Sequence, residues 1–175
     1  AEHREKVAAY VDKAREQGAK ILTGGRAATS EDTNGQHGTG NTDLGAGIYY
    51  LPTIIDGATR EMDCVHDEAF GPTVTIETFT TEEEAIAIAN DTEYGLAGAV
   101  YTSDAGRAER VARALRHGTI WINDFHPYLP QAEWGGFKQS GNGRELGPTG
   151  LAEYQEHKHV YQNLSPAAWD QFGLQ

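Results

Sequence analysis

Two short, glycine-bounded stretches of this chain carry side chains suited to binding and to proton chemistry. The first is Asp67-Glu68-Ala69-Phe70-Gly71-Pro72. A carboxylate such as Glu68 accepts hydrogen bonds from two neighbouring hydroxyls, as on a ribose, better than a neutral side chain does. The alternative is a plain Gly71-Pro72 turn with Glu68 as a solvated charge. The second stretch is Trp134-Gly-Gly-Phe-Lys138-Gln-Ser-Gly141-Asn-Gly143-Arg144-Glu145-Leu-Gly147-Pro148, with five glycines. So glycine-rich a loop brings backbone close to backbone and leaves few side chains, each conspicuous. Trp134 precedes two glycines that let its indole project, and an indole face suits a soft, weakly hydrated cation such as trimethylammonium, at ~0.5–2 kcal/mol. Tyr128 and Phe125 are further candidates for the same wall; the alternative is an indole packed into the core.

Other candidates are weaker. Cys64 has His66 nearby, but Asp63, Asp67 and Glu68 disfavour a thiolate, so a small structural residue is the expectation. His157-x-His159 can chelate from one strand face, yet no carboxylate or cysteine on that face completes a metal set. The Lys138–Glu145 run matches neither phosphate-binding glycine pattern.

These residues need elements to hold them. Arg4–Gln17 reads as an amphipathic helix with Val7, Val11 and Ala14 on one face and Gly18 as its stop. Ala19–Leu22 is a short strand. Residues 29–47 are almost all polar and form a loop or insertion. Ile48–Ile55 is a strand interrupted by Pro52. Then Thr73–Phe79 reads as strand, Thr81-x-x-Glu84 caps a helix through Ala89, and Leu96–Tyr101 is strand. Ser103 or Asp104 caps a second helix, and Thr119–Ile122 is strand again. The alternation predicts an α/β fold, a parallel sheet of βαβ units with flanking helices. Ligands gather beyond the carboxyl ends of such strands, where the loop from Asp124 to Gly136 begins. Trp121, inside an apolar strand, is expected in the core. Glu153–Leu164 alternates over two largely polar faces, which suits an edge strand awaiting a partner chain. The tail 165–175 is expected to be loosely held.

Composition bounds the function. With 14 basic and 26 acidic residues the net charge is -12, which argues against nucleic-acid binding. No run of ~18 apolar residues predicts a membrane span. A single cysteine rules out an internal disulfide framework and fits a reducing, cytoplasmic setting. An acidic surface with five lysines suits a salty cytosol, and equally ordinary acidic solubility. The chain begins at Ala1 and its one methionine is Met62, which fits a fragment or processed product.

From the first helix to about Tyr161, leaving out 29–47, the chain resembles the C-terminal part of an NAD(P)-dependent aldehyde dehydrogenase. The resemblance rests on Glu68-x-Phe70-Gly71-Pro72 and on Trp134–Pro148. Trp121-Ile-Asn-Asp-Phe-His-Pro-Tyr-Leu-Pro-Gln-Ala-Glu-Trp134 makes it similar to betaine aldehyde dehydrogenases. It implies that Glu68 holds the nicotinamide ribose and Phe70 packs near the nicotinamide. Trp134 helps box a quaternary ammonium substrate. Lys138 and Gly141 lend backbone carbonyls to a structural potassium ion, and Glu145, if buried with a raised pKa, relays protons. Ala69 departs from the pattern, which has a bulkier residue there.

The resemblance further implies a partial catalytic domain over 1–152 and an oligomerisation strand over 153–164 that builds a homo-dimer or tetramer. The family's Gly-Gln-x-Cys nucleophile segment, its Glu-Leu-Gly-Gly general-base segment and its dinucleotide-binding domain lie outside these residues. The isolated chain is therefore expected to be inactive. Two other readings stay open: a noncatalytic remnant or interaction module, and a small thiol hydrolase using Cys64 and His66.

Overall fold

The computed structural model describes residues 1–32 and 43–164. The middle of the 29–47 loop and the 165–175 tail lie outside the described residues. The chain forms two compact units, one of Ala1–Glu93 with Glu109–Leu115, the other of Tyr94–Ala108 with the chain from Arg116 onward.

The first unit is organised by helix α1, Glu2–Glu16. Val7, Val11 and Ala14 share one stripe, and all three are buried as the spacing predicts. Gly18, at φ +104°, turns the chain out of the helix with a backbone few other residues adopt. Strand β1, Lys20–Thr23, runs antiparallel to β2, Thr53–Asp56, which runs parallel to β3, Thr73–Thr75. Ile55 is fully buried at the centre, packed among Ala14, Ala19, Met62 and Cys64. Cys64 belongs to the short helix α2, Asp63–His66.

Two strands are shorter than the sequence suggests. Ile48–Ile55 is regular strand only from Thr53; before Pro52, which has no N–H to give a ladder, Tyr50 makes a single antiparallel bridge to Ala27, and Ile48 stays 67% exposed. The Thr53 hydroxyl, 2% exposed, accepts from Gly25 N (2.8 Å) and donates to Leu51 O (2.8 Å), so its burial strands no polar atom. The run Thr73–Phe79 is strand only through Thr75, with a last backbone bond from Ile76 N to Ile55 O (2.9 Å), and the Glu77 carboxylate accepts from Arg60 (3.0 Å). Arg60 also binds Asp91, tying that segment to the end of helix α3, Glu82–Asn90. The α3 cap is the predicted one: Thr81 Oγ1 accepts from Glu84 N at 3.1 Å. The Glu84 carboxylate, however, reaches back to the amide and hydroxyl of Thr80, one residue earlier than a capping box requires.

In the second unit, β5 (Ala97–Val100) and β6 (Thr119–Ile122) pair in parallel from Ala97↔Thr119 to Val100↔Ile122. In sequence the two strands are joined through α4, Ala105–Ala114, most of which belongs to the first unit. Of the two candidate caps it is Asp104 that serves, its carboxylate accepting from Arg107 N at 3.0 Å. Strand β4, Tyr94–Gly95, pairs antiparallel with β7, Phe137–Lys138, and a short α5, Gly147–Ala152, follows. The α/β class holds. The difference from a single parallel sheet is that the strands of the described residues form three separate sheets, with antiparallel pairs at β1–β2 and β4–β7.

Gly118 shows how closely this unit is built. A Cβ there would lie 1.7 Å from Gly135 O, backbone that has no rotamer with which to move away. Gly118→Ala is expected to destabilise the protein by about 3 kcal/mol, read as a lowered midpoint in urea. An unchanged midpoint contradicts the packing of the Gly135 loop onto the start of β6.

Among the described residues, 155–164 make no ladder, and Tyr154, Val160, Tyr161 and Leu164 are all exposed. No helix among the described residues is long and apolar enough to cross a membrane.

Candidate functional site

In the first unit, Glu68 and Phe70 sit on the loop between α2 and β3. Glu68 is exposed and Phe70 is 76% exposed, with a left-handed backbone at φ +46°. An exposed aromatic ring two residues from an exposed carboxylate is unusual where nothing meets the ring. It fits a ligand that has a flat heterocycle next to a diol. Cys64, in contrast, faces inward at 5% exposure. Burial, and after it the charges of Asp63 and Glu77, push its thiol above the ordinary range. A buried, protonated thiol is no nucleophile. The folded protein is expected to resist alkylation at pH 8 and to label fully once unfolded; rapid labelling of the folded state contradicts a core role for Cys64.

In the second unit, Asn123 ends β6 with a left-handed backbone of φ +54°. Its side chain accepts from Thr102 N (2.8 Å) and donates to Thr102 O (2.9 Å). The paired bonds anchor the outgoing loop at the carboxyl end of the parallel pair, as the sequence suggests for a ligand-facing loop. The loop then folds its aromatic residues together. Trp134 stacks on Trp121 with centroids 5.8 Å apart and planes at 29°, and Tyr128 lies 4.6 Å from Trp134 at 55°. His126, itself at φ +70°, stands edge-on to Tyr128 at 4.8 Å, and Phe125 packs edge-on to Trp121 at 5.6 Å.

Trp121 is buried, as expected; Trp134 is half-buried rather than projecting alone, because Trp121 supports one face of it. Tyr128 and Phe125 were expected beside Trp134; the parts of Trp121 and His126 in the cluster were not. Its signal was present in Phe125-His126-Pro127-Tyr128, four ring-bearing residues between two tryptophans, but the left-handed turn at His126 that gathers them has no glycine to announce it.

Trp134 and Glu145 exchange two backbone hydrogen bonds of 2.7 Å, an isolated antiparallel bridge. The bridge closes the glycine-rich segment into a loop around a cavity of about 370 Å3 lined by Trp134, Gly135, Gly136, Gly141, Arg144 and Glu145. Three of the residues singled out from sequence, Trp134, Gly141 and Glu145, therefore share one cavity. The Glu145 side chain is exposed here, not buried. Nor is it tied to its neighbour: the Arg144 guanidinium donates to Gly136 O (3.1 Å) and Gly143 O and lies 5.5 Å from the Phe137 ring centroid.

Lys138 (φ +54°) and Gly141 (φ +126°) flank a tight turn in which Ser140 N donates to Phe137 O at 3.1 Å. No group of three or more His, Cys, Asp or Glu side chains among the described residues can hold a metal, and His157 and His159 are exposed.

Residues 1–160 match the sequence profile of the aldehyde dehydrogenase family. The chain belongs to that family. It is 54% identical over 172 residues to betaine aldehyde dehydrogenase of Bacillus subtilis (strain 168), covering 98% of this chain and 33% of that protein. It is 44% identical to the peroxisomal aminoaldehyde dehydrogenase 2 of Pisum sativum, over 94% of this chain and 30% of that one. The crystal structure of the Staphylococcus aureus betaine aldehyde dehydrogenase in complex with NAD+ superposes with a TM-score of 0.88 at 48% identity, over 98% of this chain and 32% of the other. The chain thus spans about a third of the length of the relatives it matches. Solved variants of the same S. aureus protein replace a consecutive His, Pro and Tyr by Phe, Met and Leu. The one His-Pro-Tyr run of the present chain is His126-Pro127-Tyr128, inside the aromatic cluster.

Proposed function

We propose that this chain is the C-terminal part of an NAD(P)-dependent aldehyde dehydrogenase that oxidises betaine aldehyde, or another amino-aldehyde, to its carboxylic acid. The observation that carries the reading is the Trp134–Tyr128 pair, 4.6 Å apart at 55°, beside an open cavity. Two aromatic faces set at an angle suit the several methyl faces of a trimethylammonium group, whose charge is spread and weakly hydrated. The names of the B. subtilis, S. aureus and P. sativum relatives point the same way.

In this reading each unit has its own task. Glu68 accepts hydrogen bonds from the hydroxyls of the nicotinamide ribose, and the exposed Phe70 ring packs against the nicotinamide. When bound, the nicotinamide accepts the hydride that leaves the aldehyde carbon. Trp134, with Tyr128, holds the cationic end of the substrate, and Glu145, on the cavity wall, is the candidate proton relay. The carbonyls of Lys138 and Gly141 hold a potassium ion. The segment 153–164 pairs with another copy of the chain in a dimer or tetramer, and the enzyme works in the cytoplasm. The nucleophilic cysteine and the general-base glutamate come from outside these residues, because Cys64 is locked in the core.

The test compares betaine aldehyde with its neutral tert-butyl isostere, using NAD and the assembled enzyme, meaning this chain together with the nucleophile and dinucleotide-binding segments. A kcat/KM on the order of tenfold higher for the cation is expected. Equal values sink the amino-aldehyde reading and leave a general aldehyde dehydrogenase.

A further inference from the structure

His3, Val7 and Tyr10 fall at i, i+4 and i+7 on α1 and so share one face of the helix. All three meet the loop that carries Glu68 and Phe70. The Tyr10 hydroxyl lies 2.9 Å from Asp67 O and 3.0 Å from Cys64 O, so its one proton is shared between the residue just before Glu68 and the end of the core. Burial foremost, then the neighbouring Cys64, Asp67 and Asp63, push the Tyr10 phenol up to about 12, so it remains a donor throughout neutral pH. Val7 lies directly under Gly71, where a Cβ would come within 2.7 Å of its Cγ2. His3 Nε2 donates to Phe70 O at 2.7 Å; facing a carbonyl, it can only donate.

The loop from Asp67 to Gly71 is therefore held at both ends by one helical face, with Glu68 suspended between the holds. Phe70 needs such a hold. At φ +46° it occupies a backbone region that a residue with a Cβ rarely adopts unless its surroundings impose it. The His3 bond is not part of the core, since the ring is exposed and the burial of α1 comes from Val7, Val11 and Ala14.

We propose that the His3–Val7–Tyr10 face of α1 is a positioning cradle that presets Glu68 and Phe70 for the nicotinamide riboside. Cofactor affinity is then set in part by residues that never touch the cofactor, through the ordering the loop no longer has to undergo on binding. The inference rests on the assignment of Glu68 and Phe70 to the cofactor.

The test titrates NAD into the assembled enzyme carrying His3→Ala, His3→Gln, Tyr10→Phe or Glu68→Ala, and follows amide hydrogen exchange of the 67–73 segment without cofactor. His3→Ala and Tyr10→Phe are each expected to raise the Kd for NAD about three- to tenfold and to speed exchange in the segment. The KM for aldehyde and the kcat at saturating NAD stay unchanged, and His3→Gln, whose amide donates, restores the wild-type Kd. If Glu68→Ala weakens NAD while both α1 variants bind normally, the cradle is wrong and the ribose assignment stands. If Glu68→Ala binds NAD like wild type, the assignment falls and the cradle with it. Parallel losses of aldehyde KM and kcat, without rescue by His3→Gln, mark general structural damage and also overturn the proposal.

Discussion

Glu68→Ala is expected to raise the KM for NAD about 10- to 100-fold in the assembled enzyme, with little change in the KM for aldehyde. The magnitude follows from hydrogen bonds to a charged acceptor, worth about 1.5–3 kcal/mol each. The change is clean because Glu68 is exposed and takes no part in the core around Ile55. Glu68→Gln should fall between the two, since an amide oxygen still accepts but without the charge. An unchanged KM for NAD with a raised KM for aldehyde contradicts the assignment of Glu68 to the cofactor.

Trp134→Ala is expected to lower kcat/KM for a trimethylammonio-aldehyde about 3- to 30-fold, the range given by a cation–π contact of ~0.5–2 kcal/mol. The loss for a neutral aldehyde of the same shape should be smaller. The backbone bridge between Trp134 and Glu145 does not depend on the side chain, so the loop keeps its closure in the variant. Trp134→Phe should retain part of the preference, because a ring can still stack against Trp121 and face Tyr128. Equal losses for cationic and neutral substrates contradict the aromatic box.

Much of this was legible in the sequence where periodicity or a cap is strong. The spacing of Val7, Val11 and Ala14 gave the buried face of α1, and Thr81 gave the start of α3. Asp104 marked the start of the crossover helix between β5 and β6. What failed depends on contacts between distant residues. The strand expected through Phe79 stops at Thr75, where its partner β2 ends at Asp56 and the chain turns at Gly57 (φ +66°). Pro52 shortens β2 in the same unit, where the sequence signalled only an interruption.

The site divides similarly. Glu68, Phe70, Trp134, Gly141 and Glu145 were marked by their places in short motifs, and three of them meet at one cavity. The support beneath them was not marked. The stacking of Trp121 under Trp134 and the hold of His3 and Tyr10 on the Phe70 loop are tertiary contacts. They use left-handed residues at His126 and Phe70 that no glycine signals. The burial a proton relay asks of Glu145 was not met, since Glu145 is exposed.

The central claim is that these residues supply binding walls and neither the nucleophile nor the general base. Its most direct test follows NADH formation from betaine aldehyde and NAD, with the purified 175-residue chain beside the assembled enzyme. The account predicts turnover by the assembled enzyme and none by the chain alone. NADH production by the chain alone, or its absence from the assembled enzyme, contradicts it.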